Sequence, residues 1–268
     1  MEIAPSTPGS QRDASGPAPR ASGWLKTPLR TPRQRKPPDK MAFRTHGDQS
    51  ETAGTMTRTG RPTRSELKAL ARRDPKLGRA IRRLPPFPDF ANRRSADSHF
   101  HSLARTIIYQ QLAGNAAATI HDRVRSLTAG PRFPRPEEIM TMPPRSLREA
   151  GLSGAKQLAL TDLADKVLAG ELSLRSISRL EDGEVIRQLT TVRGIGPWSA
   201  QMFLIFRLGR LDVLPSGDLG VQEGLRILDG LEERPSASDL EERGACWAPM
   251  RSVATWTLYR VVDEARGS

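Results

Sequence analysis

From Ser65 to the C-terminus, glycine and proline cut the chain at short intervals, and the stretches between the cuts carry apolar residues at helical spacing. Residues 65–84 read as one helix stopped by Pro85-Pro86, because proline lacks an N–H and disfavours helical backbone before it. Phe100, Leu103, Ile107 and Leu112 share a face over residues 97–112, a second helix ending at Gly114. Asn115 is expected to cap a helix that runs to Leu127 and stops at Gly130-Pro131. Short helices follow at residues 136–141 and 145–150, and a longer one at 153–168. Further helices are expected at 182–191, 197–208, 218–228, 236–247 and 250–265. No segment sustains a two-residue alternation, and no solenoid-type repeat is present. The pattern specifies an all-α fold of short helices and tight connections.

Residues 1–62 lack this texture. They are rich in Pro, Ser, Thr, Gly and Arg, as in residues 27–38, TPLRTPRQRKPP. Such a stretch buries too little apolar surface to fold, so it is read as a disordered basic tail, with residues 63–268 as the helical domain. It is assigned no chemistry beyond that of a basic arm, and Met41 and Met56 leave room for a downstream start. The formal net charge of +12 favours polyanionic partners, since each cation placed on a phosphate releases a counterion. A single cysteine, Cys246, excludes internal disulfides and cysteine-ligated zinc or iron–sulfur centres. It suits a reducing compartment. With no bilayer-length apolar run and no signal-peptide core, a soluble intracellular protein without membrane partners is expected. In a bacterium that means cytoplasm or nucleoid, otherwise the nucleus.

Residues 189–202, LTTVRGIGPWSAQM, carry the most chemical information. One helix ends, Gly194 and Gly196 turn the chain around Ile195, and Pro197 starts the next helix, where its missing N–H costs nothing. The glycines tolerate positive φ and admit another backbone closely. Unpaired N–H groups at the helix start make a phosphate cradle, to which Ser199 adds a hydroxyl. A Gly-x-Gly corner alone is weak evidence. The loop that follows at residues 211–221, LDVLPSGDLGV, strengthens it. Pro215 and Gly217 break the chain before a new helix, and Asp218 falls at its cap. A capping Asp normally serves structure. The same geometry keeps a carboxylate ionised and able to stabilise a developing oxocarbenium on a sugar.

The hairpin, the Gly/Pro-rich loop and its Asp together resemble the signature of the helix-hairpin-helix (HhH-GPD) DNA glycosylase superfamily, and more narrowly its 3-methyladenine DNA glycosylase II group. The similarity extends over about residues 80–265. It includes residues 107–114 (IIYQQLAG), 152–156 (LSGAK) and 247–256 (WAPMRSVATW). The resemblance implies two small helical subdomains with the active site in the cleft between them. It implies that Asp218 is catalytic, with Asp212 structural. In relatives that also cut the strand, a lysine fills the slot of Trp198, so its absence removes Schiff-base chemistry from that position. Hydrolysis alone is expected, releasing alkylated purines such as 3-methyladenine and 7-methylguanine from double-stranded DNA to leave an abasic site.

By the same resemblance Leu112 is the wedge that fills the gap left by a flipped nucleotide. An ordinary core leucine is the competing reading. Gln110 and Gln111 are adjacent and face different ways, so at most one lines the base pocket, and Gln111 is the candidate. Tyr109 is a second candidate wall, although core packing serves equally. Trp198, Met202 and Phe206 share a helix face. Trp198 is taken as the surface on which a cationic base stacks, and the other two as core. Trp256 is also assigned to the core. The site residues are therefore Asp218 for catalysis, Trp198, Tyr109 and Gln111 for the base, and Leu112, Gly194, Gly196 and Ser199 for DNA. No metal site is expected. A monovalent cation at hairpin carbonyls near Val192 is implied by resemblance only, and a monomer is expected. The four histidines suggest no shared site, and Arg251 is left between a phosphate and an acid. Two alternatives stand: a non-catalytic helix-hairpin-helix DNA-binding module, and a glycosylase for oxidised or mismatched bases.

Overall fold

A computed structural model describes residues 59–90, 98–112 and 114–267. Most of the expected tail, with Met41, Met56 and His46, lies outside them, as does the helix start expected at Asp97. Thr59 and Gly60 fall within the described residues. Gly60 N–H donates to the Gly209 carbonyl at 3.1 Å, beside an isolated bridge between Thr59 and Arg210.

Regular structure among the described residues is helical. The helix α1 (Arg64–Arg73) opens with a capping box, in which Thr63 Oγ1 accepts from Glu66 N–H and the Glu66 carboxylate accepts from Thr63 N–H. It stops at Asp74, and α2 (Pro75–Arg83) begins directly. The single helix expected over 65–84 is thus two. Pro75 cannot continue α1, and Asp74 Oδ1 accepts from Leu77 N–H at 2.9 Å to start α2. The other Asp74 oxygen accepts from Trp247 Nε1 and pairs with Arg243 Nη2, each at 2.7 Å. Burial opposes ionisation of Asp74, but these donors together hold its carboxyl below the usual range.

The middle of the chain forms α3 (His99–Tyr109), α4 (Gly114–Arg125), α5 (Pro136–Thr141), α6 (Pro144–Glu149), α7 (Gly154–Leu168), α8 (Asp182–Leu189) and α9 (Pro197–Phe206). Asn115, expected as a cap, sits inside the first turn of α4. The last part forms α10 (Leu219–Asp229), α11 (Ala237–Gly244) and α12 (Arg251–Ala265). These helices sort into two groups. α3 packs on α4, α7 and α9, with α5 and α6 on α7 and α8 on α9. α2, α10 and α12 pack on one another, joined by α1 and α11, so both ends of the described chain share one group. A continuous apolar core runs through both.

The contact between α10 and α12 is nearly backbone to backbone. A Cβ added at Gly224 would stand 2.5 Å from the Leu258 carbonyl oxygen, so only glycine fits there. That close crossing fixes the N-terminal end of α10, where Asp218 lies.

Candidate active site

The hairpin is built between α8 and α9. After Leu189 the chain turns, Ile195 N–H donating to the Val192 carbonyl at 3.0 Å, with both side chains buried. Gly194 has a φ of +76°, in the left-handed region that favours glycine. Gly196 does not: its φ of −93° is available to any residue. Its value lies in the open space where a Cβ would stand, with no atom within 4 Å. Asp162 of α7 anchors the turn, accepting from Arg193 N–H at 2.7 Å. The first N–H groups of α9 have no intrahelical partner, so this bare corner offers donors to a phosphate. Ser199 is not among the exposed donors. It is buried, and its hydroxyl accepts from Gln110 Nε2 at 3.4 Å.

Asp218 caps α10, its Oδ1 accepting from Val221 N–H at 2.9 Å. Its Oδ2 accepts from the indole N–H of Trp198. Only 5% of Asp218 is exposed. Tyr259, on α12, closes over the same carboxylate. Burial, then the charge of Asp218 and a hydrogen bond to it, push the phenol well above its usual range. It therefore stays protonated, and its hydroxyl donates to Met202 Sδ at 3.7 Å. A Cβ at Gly220 would lie 3.0 Å from Asp218 Oδ1 and 3.1 Å from Tyr259 Cε1, so this glycine lets the ring approach the acid. Asp218 and Tyr259 come from one helix group and Trp198 from the other. The carboxylate thus sits on the seam between them.

The loop before Asp218 is pinned to α12. Asp212 grips the Arg251 guanidinium through two 2.8 Å bonds and accepts from Arg251 N–H at 3.2 Å. Burial works against its ionisation, but the Arg251 bonds and charge prevail and hold the carboxyl low. Asp212 thereby holds the loop to α12, and Arg251 pairs with an acid. Ser252 Oγ accepts from Val213 N–H at 2.9 Å, and Ser252 N–H donates to the Leu211 carbonyl at 2.9 Å.

The turn after α3 departs from expectation. Gln111, placed in the pocket by sequence, is exposed with a left-handed φ of +56°. Gln110 is the inward-facing member, its amide donating to the Gly194 carbonyl at 2.8 Å. Leu112 is 37% exposed and does not close a core. Tyr109 faces α4: the Arg105 guanidinium of its own helix lies 4.8 Å from its ring, and His121 of α4 stands edge-on at 6.2 Å. Met202 and Trp256 are buried, and Phe206 is half-buried against the core. Nor are the histidines isolated. His101 and His121 share a hydrogen bond of 2.7 Å between their Nε2 atoms, with Phe133 stacked on both rings.

Tyr259 and Lys156 were given no role by sequence, and Gln110 was passed over for Gln111. Each meets its partner across a long loop of chain, and no local pattern marks it.

A phosphate-ready hairpin beside a buried carboxylate at a helix start defines a helix-hairpin-helix protein that acts on DNA. Residues 104–250 match the HhH-GPD superfamily of base excision DNA repair proteins. The chain is 35% identical over 162 residues to DNA-3-methyladenine glycosylase 1 of Schizosaccharomyces pombe, covering 60% of this chain and 71% of that protein. It is 38% identical to the DNA-3-methyladenine glycosylase of Saccharomyces cerevisiae over 135 residues, 48% of this chain and 46% of the other. Among solved structures, the S. pombe 3-methyladenine DNA glycosylase in complex with abasic DNA superposes with a TM-score of 0.65 at 31% identity, over 73% of this chain and 95% of the other. A DNA-3-methyladenine glycosidase from Bacillus halodurans gives 0.66 at 32% identity, over 79% and 95%. The chain belongs to the HhH-GPD superfamily of base excision DNA repair proteins, in its DNA-3-methyladenine glycosylase group. It is a DNA glycosylase, and DNA is its partner. Among the described residues, no helix is long and apolar enough to cross a membrane.

Proposed function

We propose that this enzyme, acting as a monomer, hydrolyses the N-glycosidic bond of alkylated purines, 3-methyladenine and 7-methylguanine, in double-stranded DNA and leaves an abasic site. The observation that carries the reading is Asp218, buried on the seam with donors from Val221 and Trp198 and with the Tyr259 ring beside it. Those contacts fix the orientation of the carboxylate on the seam. Alkylation gives the base a positive charge and weakens its bond to the sugar. The step is dissociative: the C1′–N bond breaks with its electron pair leaving on the base, and the sugar becomes an oxocarbenium. The Asp218 charge, fixed in a dry site, stabilises that cation until water adds at C1′ and a proton is lost.

Base release without strand cleavage follows from Trp198 in the position of a lyase lysine. The Lys156 ammonium is engaged by two backbone carbonyls. Exposed Leu112 is the wedge for the vacated stack, and the hairpin holds the phosphates. The chemistry needs no cofactor. Carbonyl oxygens suit a hard monovalent cation, and the Val192 carbonyl has a second lone pair beyond its bond from Ile195. The Gly194 carbonyl fits less well, since the Gln110 amide already points N–H at it.

Asp218→Asn is expected to bind methylated duplex DNA as the wild type does and to release no measurable base. Undiminished release would remove Asp218 from the mechanism. Chromatography of bases released by the wild type separates the alternatives. An oxidised purine from suitably damaged DNA points to the other glycosylase branch, and no release from any substrate points to a DNA clamp.

A further inference from the structure

Lys156, in the first turn of α7, reaches the end of α3. Its ammonium donates to the carbonyls of Ile108 at 2.7 Å and Gln110 at 2.8 Å. Carbonyls at a helix end lack intrahelical partners, and a cation suits the negative end of the helix dipole. The next residue, Gln111, holds a φ of +56°, a backbone that a non-glycine residue keeps only where its surroundings fix it. Leu112 N–H reaches back to the Tyr109 carbonyl at 3.4 Å, and the Leu112 side chain emerges 37% exposed. Meanwhile the Gln110 amide donates to the Gly194 carbonyl and to Ser199 Oγ. One ammonium and one amide therefore tie α7, the turn after α3 and the hairpin to one another.

We infer that Lys156 is a positioning residue for base extrusion: by clamping the Ile108 and Gln110 carbonyls it holds the Gln110–Leu112 turn in shape, and through Gln110 it sets the spacing between the Leu112 wedge and the phosphate-binding hairpin. This rests on reading Leu112 as the wedge. A lysine in a DNA glycosylase is more simply taken for a phosphate contact. Here the half-buried ammonium donates to two carbonyls of the protein's own backbone, and its burial pushes it below the usual lysine range. Extrusion demands that wedge and hairpin act on the same nucleotide step at the same moment. A displacement of about 1 Å between them would cost up to roughly a hundredfold in rate.

The test compares single-turnover release of an alkylated purine from a fully paired duplex with release of the same lesion from an unpaired bubble, where there is no stack to open. Lys156→Met is expected to lower the paired-to-bubble rate ratio by about tenfold or more. It should also lose the fluorescence rise of a 2-aminopurine placed beside the lesion. Lys156→Arg, whose guanidinium also serves two carbonyls, restores part of the ratio. Should Lys156→Met fail to fold, Gln110→Met cuts the link to Gly194 and is expected to shift the ratio in the same direction. Equal slowing on both substrates, or an unchanged ratio, overturns the proposal. Leu112→Ala separates it from the reading beneath it. If Leu112→Ala shifts the ratio and Lys156→Met does not, only the positioning role falls. If Leu112→Ala leaves the ratio untouched, the wedge falls and the positioning role with it.

Discussion

Trp198 touches Asp218 through its indole N–H, and that contact gives the side chain a task that a stacking surface does not need. A hydrogen bond to a charged group contributes about 1.5–3 kcal/mol. Trp198→Phe keeps an aromatic face and removes only the donor. Base release is therefore expected to fall about tenfold to a hundredfold in single-turnover kinetics, with DNA affinity preserved. A loss of binding to abasic DNA with unchanged release would instead make Trp198 a stacking wall. Asp218 itself was legible in the chain because its cap position after Pro215 and Gly217 is a local pattern. Its partners were not legible. The Trp198 indole and the Tyr259 phenol arrive from α9 and α12, and an aromatic that turns its polar tip to an acid has the same spacing as one that fills a core. The choice between Gln110 and Gln111 failed for a related reason. Adjacency shows that the two face apart, but only the left-handed backbone at Gln111 decides which faces outward.

At the level of elements, the breaks written in proline and glycine were readable. Pro136, Pro144 and Pro197 each open a helix, and Ser153 and Ser236 cap theirs. The break between α1 and α2 was missed because the apolar stripe continues across Asp74-Pro75, while the signal sits in one buried acid whose partners lie on α11 and in the turn at Trp247. The pairing of α3 with α4 through His101 and His121 was equally hidden, since it requires the two helices to be placed first. It has a consequence for stability. Burial, followed by the charges of His101 and Arg105 and opposed by Asp122, lowers the His121 pKa from 6.5 to about 4. Between those values the unfolded chain binds a proton that the folded chain refuses, so stability falls as pH falls. From pH 7.5 to pH 5 the loss is about 2 kcal/mol from this group. Urea titrations of the wild type over that range should show the decline. His121→Gln, which keeps a polar partner for His101 without titrating, should flatten it. An unchanged slope in that variant would assign the acid limb to other groups.

Across the whole molecule, the buried Asp218 carboxylate occupies a seam between two helix groups, while the positive charge is spread far beyond it. Residues 1–58 hold ten of the 42 Lys and Arg, against five of the 30 acids, so residues 59–268 keep a surplus of seven of the twelve. These two facts separate catalysis from attraction. On the proposed mechanism, base release depends on Asp218 and its donors, all within the domain. Nonspecific affinity depends on the number of phosphates that any basic residue neutralises, with log K falling against log salt by about 0.9 for each. A chain beginning at Thr59 is therefore expected to release methylated bases at the full-length rate once DNA is saturating. Its affinity for undamaged duplex should be weaker at low salt, and its salt slope shallower by about 0.9 for every phosphate the arm had reached. The two affinities should converge as salt rises, because the arm's contribution is made of released counterions and vanishes with their gradient. Binding isotherms at four or five salt concentrations, with and without residues 1–58, give both slopes. Equal slopes would mean that the arm's cations touch no DNA, and a slower single-turnover rate at saturation would tie the arm to the reaction itself.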